Sequence, residues 1–292
     1  MRYPLLIVTF AAFVSAATAD PPKNFTDEQL VAWCIVPFDS KDRSPAERAE
    51  MLDRLGLKRV AYDWRAKHID SFEEEITQYQ KHGIEYFAFW GRHDKAFALF
   101  QKYDLHPQIW MMLPQPEGAT QTDKVRRAAE QLLSTVKKTK NLGLRLGIYN
   151  HGGWSGEPEN MVAVCEYLRE HHEGDHVGIV YNFHHGHSHV DRLGAVIQQM
   201  KPYLLCINLN GMTHKGDERG KKILPLGEGE QDVDLLQTVI ASGYTGPVGI
   251  IGHTQDDVEL RLRDNLDGLH WLLPQTQGEP ASKKPTWRTY RP

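Results

Sequence analysis

Cysteine is scarce: Cys34, Cys165 and Cys206 are the only three in 292 residues, and each sits inside an apolar stretch. That excludes a disulfide-stapled scaffold, and the three thiols read as buried small hydrophobes. Clustered basic charge is missing too. Lys and Arg number 34 against 38 Asp and Glu, with no basic run interleaved with aromatics, so there is no electrostatic footprint for nucleic acid. Nucleotide-binding signatures are also absent: no G-x-G-x-x-G follows the first apolar run, and G-x-x-x-x-G-K-[ST] occurs nowhere.

The first residues, MRYPLLIVTFAAFVSAATAD, carry Arg2, an apolar stretch from Pro4 to Val14 and the small-residue pattern Ala17-Thr18-Ala19. This is the pattern of an export signal cut near Ala19, and its apolar part is shorter than the ~20 residues of a membrane span. The reading predicts an exported protein without a membrane anchor. At the other end, residues 275–292 lack periodicity and are rich in polar residues and proline, as in a flexible tail.

Between residues 20 and 274, short apolar runs alternate with helical periodicity. The runs lie at 31–37, 59–64, 84–90, 107–113, 144–150, 177–183, 203–209 and 246–252. Each shows little polar alternation, as a parallel strand covered on both faces requires. Helix starts fall between them. Ser44-Pro45-Ala46-Glu47 has the form of a reciprocal N-terminal cap, Ser71 with Glu74 repeats it, and Thr254 with Asp257 imitates it. Eight such alternations predict a single-domain α/β protein, a closed (β/α)8 TIM barrel, with its active site at the C-terminal ends of the strands.

That rule gives the histidines a geometry. His151, His184 with His185, and His253 follow the fifth, sixth and eighth runs, and Asn210 follows the seventh. Side chains two apart on a strand share a face. If Tyr149, Asn182, Asn208 and Ile251 point into the barrel, then His151, His184, Asn210 and His253 do so one layer nearer the mouth. Three imidazoles and an amide oxygen meeting there would suit a divalent metal such as Zn, Mn, Co or Ni. The alternative is separate strand-end histidines bonded to loop backbone. His171, His172, His187 and His189 read as exposed.

The segments IYNHGGW, VYNFHH, ILPLGEGEQD and GYTGPVGIIGH resemble the xylose isomerase-like TIM-barrel superfamily, which includes sugar isomerases, sugar epimerases and endonuclease IV. The resemblance implies a metal held by Glu, Asp, His and Glu at the ends of strands 5 to 8, polarising a sugar carbonyl while an acid/base pair moves protons. Here those slots fall on Tyr149, Asn182, Asn208 and about Ile251, none of them the family's ligand. His185 matches a family histidine that contacts substrate. Either the metal has been lost, or the ligand ring has moved two residues up each strand, and the repeated histidine offset favours the second.

For proton transfer the candidates are His185, Asp63 at the end of the second run, and Glu228 in the PLGEGE loop. For substrate binding they are Trp154, Arg92 and Glu157, although Glu157 beside Pro158 is equally suited to opening a helix. Trp33 and Trp64 read as core. The expected function is a metal-dependent carbohydrate isomerase or epimerase. The alternatives are a lyase or hydrolase of keto-sugar glycosides and a non-catalytic sugar-binding barrel; the expected partner in each case is a small carbohydrate.

Overall fold

The computed structural model describes residues 22–291, and the leader read at residues 1–19 lies outside them. The strands are β1 (Leu30–Trp33), β2 (Arg59–Tyr62), β3 (Glu85–Trp90), β4 (Gln108–Met112), β5 (Leu146–Tyr149), β6 (Val177–Asn182), β7 (Leu204–Leu209) and β8 (Val248–Ile251). Each lies on one of the apolar runs, β1 beginning one residue early. They close into a barrel in chain order, every neighbour parallel, and β8 completes the ring against β1 from Leu30↔Val248 to Trp33↔Ile251. Helices α1 (Pro45–Arg54), α2 (Phe72–Lys81), α3 (Asp94–Lys102), α4 (Gln121–Asn141), α5 (Pro158–His172), α6 (Leu193–Met200), α7 (Asp232–Ala241) and α8 (Val258–Thr276) form the outer layer of this (β/α)8 barrel. Among the described residues, no helix is long and apolar enough to cross a membrane.

Two apolar cores result. The larger lies between strands and helices; a smaller one, including Val31, Trp33, Ala61, Trp110, Val180 and Ile251, fills the barrel interior. Gly147 makes room for Trp110: a Cβ there would stand 2.6 Å from Val180 Cγ2 and 2.9 Å from Trp110 Cδ1. Outside the sheet, α1 and α2 share a buried ion pair, Arg48 Nε donating to Glu75 Oε1 at 2.8 Å, and Tyr79 Oη donates to the same oxygen at 2.5 Å.

The cap at Ser44 forms as expected, with Ser44 N donating to Glu47 Oε2 at 2.9 Å and Glu47 N donating back to Ser44 Oγ at 3.4 Å. The other two differ. Ser71 occupies the cap position of α2, but its hydroxyl donates to His68 O at 3.0 Å and caps nothing. α8 is capped by Asp257, which accepts Glu259 N at 3.1 Å, three residues beyond Thr254. Beyond residue 274 the sequence predicts a flexible tail. α8 runs on to Thr276, and the following chain lies back on it: Trp271 Nε1 donates to Ser282 O at 3.0 Å and Arg288 reaches Asp264 at 3.0 Å and Asp267 at 2.7 Å. Asp264 is fully buried and needs donors; residues 288 and 289 supply them.

Candidate active site

The C-terminal ends of the strands surround a cavity of about 150 Å³. That is small beside the roughly 300–1,000 Å³ of sites for drug-sized ligands. Its aromatic side is Trp33, Trp90 and Tyr149. The Trp90 and Tyr149 rings meet edge to face at 4.9 Å, and Trp33 Nε1 donates to Tyr149 Oη at 3.2 Å. Burial pushes the Tyr149 phenol well up, so it stays protonated. With Oη accepting from Trp33, its own proton is available to a ligand.

Asp63 follows β2 and lies on the cavity wall, 2% exposed. Val36 N donates to its Oδ1 at 3.2 Å, while Oδ2 is buried without a hydrogen-bond partner. Burial pushes the carboxyl up to about 7, against the pull of the Val36 amide and Arg65. Cys34 and Arg65 line the same wall. Cys34, at the end of β1, holds a left-handed φ of 57°, a sparsely populated conformation of the kind concentrated at functional sites; burial and then the neighbouring Asp63 keep its thiol protonated.

His151, His184, His185 and His253 complete the wall. Their rings form a chain. His151 and His185 are 4.3 Å apart, His185 and His184 3.9 Å, and His184 and His253 6.0 Å, edge to face at 86°. Burial first, and then nearby positive charge, hold all four below the ordinary histidine range, His185 at about 3 and His253 at about 4; Lys222 acts on each, neighbouring imidazoles on His184, His185 and His253, and Arg65 on His253. At neutral pH His185 is therefore an uncharged hydrogen-bonding group, and Asp63 is the group poised to exchange a proton.

These histidines raise the unfolded state's proton uptake relative to the folded state's between pH 6.5 and about 4, so stability should fall as pH falls through that window. Asp63 and Asp232, both pushed up to about 7 by burial, act in the opposite sense over about pH 4 to 7 but are fewer. The net loss should be on the order of 1 kcal/mol per pH unit after discounting for partial exposure. Calorimetry at pH 7, 6 and 5 would show Tm dropping at each step; a Tm constant to pH 5 would contradict the neutral histidine cluster.

The resemblance in sequence implies a divalent metal here, and the donor set does not fit one. The amides at two of the family slots are engaged with each other: Asn208 Nδ2 donates to Asn182 Oδ1 at 2.7 Å, and Asn182 N donates to Asn150 Oδ1 at 2.7 Å. Gly249 permits this ladder, since a Cβ there would stand 1.9 Å from Asn208 Oδ1. Tyr149 is tied to Trp33 and Ile251 is apolar. One layer up, His184 and His253 each keep a buried, unpaired Nδ1, but among the described residues no three His, Cys, Asp or Glu side chains converge as metal ligands. Asn210, expected as the fourth ligand, turns away to donate to Gly211 O at 2.8 Å and Lys222 O at 3.4 Å, anchoring the loop after β7.

Other expected site residues also lie elsewhere. Glu228 is held by the tail, with Lys284 at 2.9 Å and the Trp287 indole donating to it. Glu157 precedes α5 and pairs with Arg192 at 2.8 Å and His189 at 3.3 Å. Arg92 donates to Ser134 and Thr135 on α4 at 3.2 and 3.0 Å. Trp154 packs on the outer core, its indole donating to Gln121 Oε1 at 2.9 Å. His187 and His189, read as exposed, are buried and bonded to Lys222 O at 3.0 Å and Tyr181 Oη at 2.9 Å. In each case a loop partner distant in sequence sets the direction. The residues that sequence reasoning gave no role are Cys34, Phe38 and Lys222. Arg65 had a signal, lying two residues beyond Asp63; Lys222, in a long loop, had none.

Neither a protein-family model nor a curated protein sequence matches the chain. Solved structures do. The 3-keto-D-glucoside 4-epimerase of E. coli in its apo form superposes with TM-score 0.60 at 13% identity, over 84% of this chain and 98% of that one. D-psicose 3-epimerase of Clostridium cellulolyticum H10 with D-tagatose gives 0.55 at 12%, over 86% and 97%. A xylose isomerase-like TIM barrel protein from Mycobacterium smegmatis in complex with magnesium gives 0.57 at 14%, over 85% and 97%. The closed ring of parallel strands and these superpositions over most of its length show that the chain has the (β/α)8 barrel fold of these proteins.

Proposed function

We propose that the chain is an exported carbohydrate isomerase or epimerase that moves a proton at the carbon next to a sugar carbonyl, with Asp63 as the group that takes and returns it. The observation carrying this reading is Asp63 itself, a buried carboxyl with one oxygen fixed by a backbone amide and the other unpartnered, beside an aromatic platform. A carboxyl near 7 matches the working range that general acid–base catalysis favours. The carbon-bound proton passes to Asp63 Oδ2, and the electron pair moves into the new C=C bond and onto the former carbonyl oxygen. Tyr149 Oη donates to that oxygen, an electrostatic stabilisation of the developing charge. Return of the proton to the former carbonyl carbon, while the hydroxyl proton of the first carbon passes to the oxygen that Tyr149 contacts and leaves a new C=O behind, completes a 1,2-shift. Neutral His151 and His185 hold sugar hydroxyls as donors or acceptors. Two of the superposed barrels are epimerases by name, which supports the reaction class. The leader pattern at residues 1–19 supports export.

The test is solvent exchange. Incubated with a panel of ketoses, aldoses and keto-sugars in D2O, the protein should wash deuterium into the position next to the carbonyl, with a rate that rises with pH through about 7 and then levels as Asp63 ionises. A sugar bound without any exchange would identify a binding module instead.

A further inference from the structure

The cavity is paired with cations for which the protein supplies no anion. Arg65 lines it, with its guanidinium carbon 5.4 Å from the Phe38 ring centre and Phe38 in turn 3.7 Å from the His253 ring. Among the described residues the one hydrogen bond that guanidinium donates runs to Trp64 O at 2.8 Å, and Arg65 is exposed. Lys222 acts electrostatically on all four cavity histidines, and its own carbonyl is pinned by His187 at 3.0 Å and Asn210 at 3.4 Å. The loop carrying it is thus fastened beside the mouth. Among the described residues neither cation makes a salt bridge, whereas Lys67 pairs with Asp42 and Arg219 with Glu230. Among the described residues Asp63 is the one acidic side chain on the cavity wall; apart from Arg65 the other polar groups there are neutral imidazoles, a phenol, the Cys34 thiol and the indoles of Trp33 and Trp90.

A neutral sugar offers hydroxyls, whose natural partners are carboxylates and amides, and this wall has a single carboxylate already committed to proton transfer. An anionic substituent is what the wall lacks. We propose that the substrate is a sugar acid, its ring on Trp90 and Tyr149 and its carboxylate received by Arg65, with Lys222 closing from the loop after β7. Arginine's planar fork matches a carboxylate in two parallel hydrogen bonds. The proposal rests on the isomerase reading for the site but not for its outcome, because binding and exchange are measured separately.

The experiment titrates the full chain by calorimetry with hexuronates, each beside its parent hexose and that hexose's 6-phosphate, in low and moderate salt. At least one uronate should bind tenfold or more tightly than its parent hexose, an advantage that shrinks with salt and falls to about twofold or less in Arg65→Gln/Lys222→Gln. Both side chains are exposed, so the double variant should keep the wild-type Tm. A parent hexose bound as tightly as its uronate, a 6-phosphate bound more tightly, or no uronate bound at all would overturn the proposal. A uronate bound but never exchanged in D2O would keep it while removing the isomerase reading; exchange confined to neutral sugars would do the reverse.

Discussion

Asp63→Asn should leave a folded protein that still binds its sugar and exchanges the substrate's carbon-bound proton about 10²–10⁴-fold more slowly. The amide keeps the shape of the carboxyl, and its oxygen can go on accepting Val36 N, the contact that positions the group at 3.2 Å. What disappears is the ability to hold a proton transiently. Stability should hold or rise, because the native carboxyl is 2% exposed with an unpartnered oxygen and its ionised form is disfavoured by burial. The decisive comparison is therefore exchange rate against Tm and affinity. Exchange retained within threefold of wild type would assign the proton transfer to another group.

Arg48→Met should be the most damaging single change to stability, about 3–5 kcal/mol. Arg48 is 3% exposed and Glu75 0%, and Arg48 also donates to Arg43 O at 2.8 Å, so this pair ties α1, α2 and the chain entering α1 together. Removing the guanidinium strands a carboxylate where water cannot reach it, and the Tyr79 hydroxyl alone cannot offset that. Since whole domains are stable by only about 5–15 kcal/mol, the variant should lose on the order of 10 °C in Tm. The companion Arg48→Met/Glu75→Gln, which also removes the stranded charge, should recover much of the loss. If both variants melt alike, the cost lies in packing and not in the orphaned carboxylate.

The barrel was legible because each parallel strand is covered on both faces, which writes an uninterrupted apolar run into the chain; β6 is buried at every residue from Val177 to Asn182. The strand-end rule then carried the reading as far as the backbone stays regular. Asp63, His151, His184, His185 and His253 lie within two or three residues of a strand end, and all reach the cavity. Beyond that distance local spacing loses control. Glu228 and Glu157 were chosen because they are acids in loops of the right side, yet each is claimed by a cation from another segment, Lys284 and Arg192. His187 and His189 belong to a polar stretch that reads as exposed, but the turn Phe183–His185 and the turn His187–Arg192 fold that stretch inward. The protonation of His185 was equally hidden, since it depends on burial first and then on neighbouring imidazoles and Lys222, which only the closed barrel brings together.

The ladder Asn150–Asn182–Asn208 limits what this layer of the barrel can carry. Changing one rung to a carboxylate deprives its neighbour of a donor and places an anion against an oxygen where all three side chains are buried. The amides are a matched set, so an acidic replacement of Asn182 or Asn208 should be tolerated only when its partner changes with it.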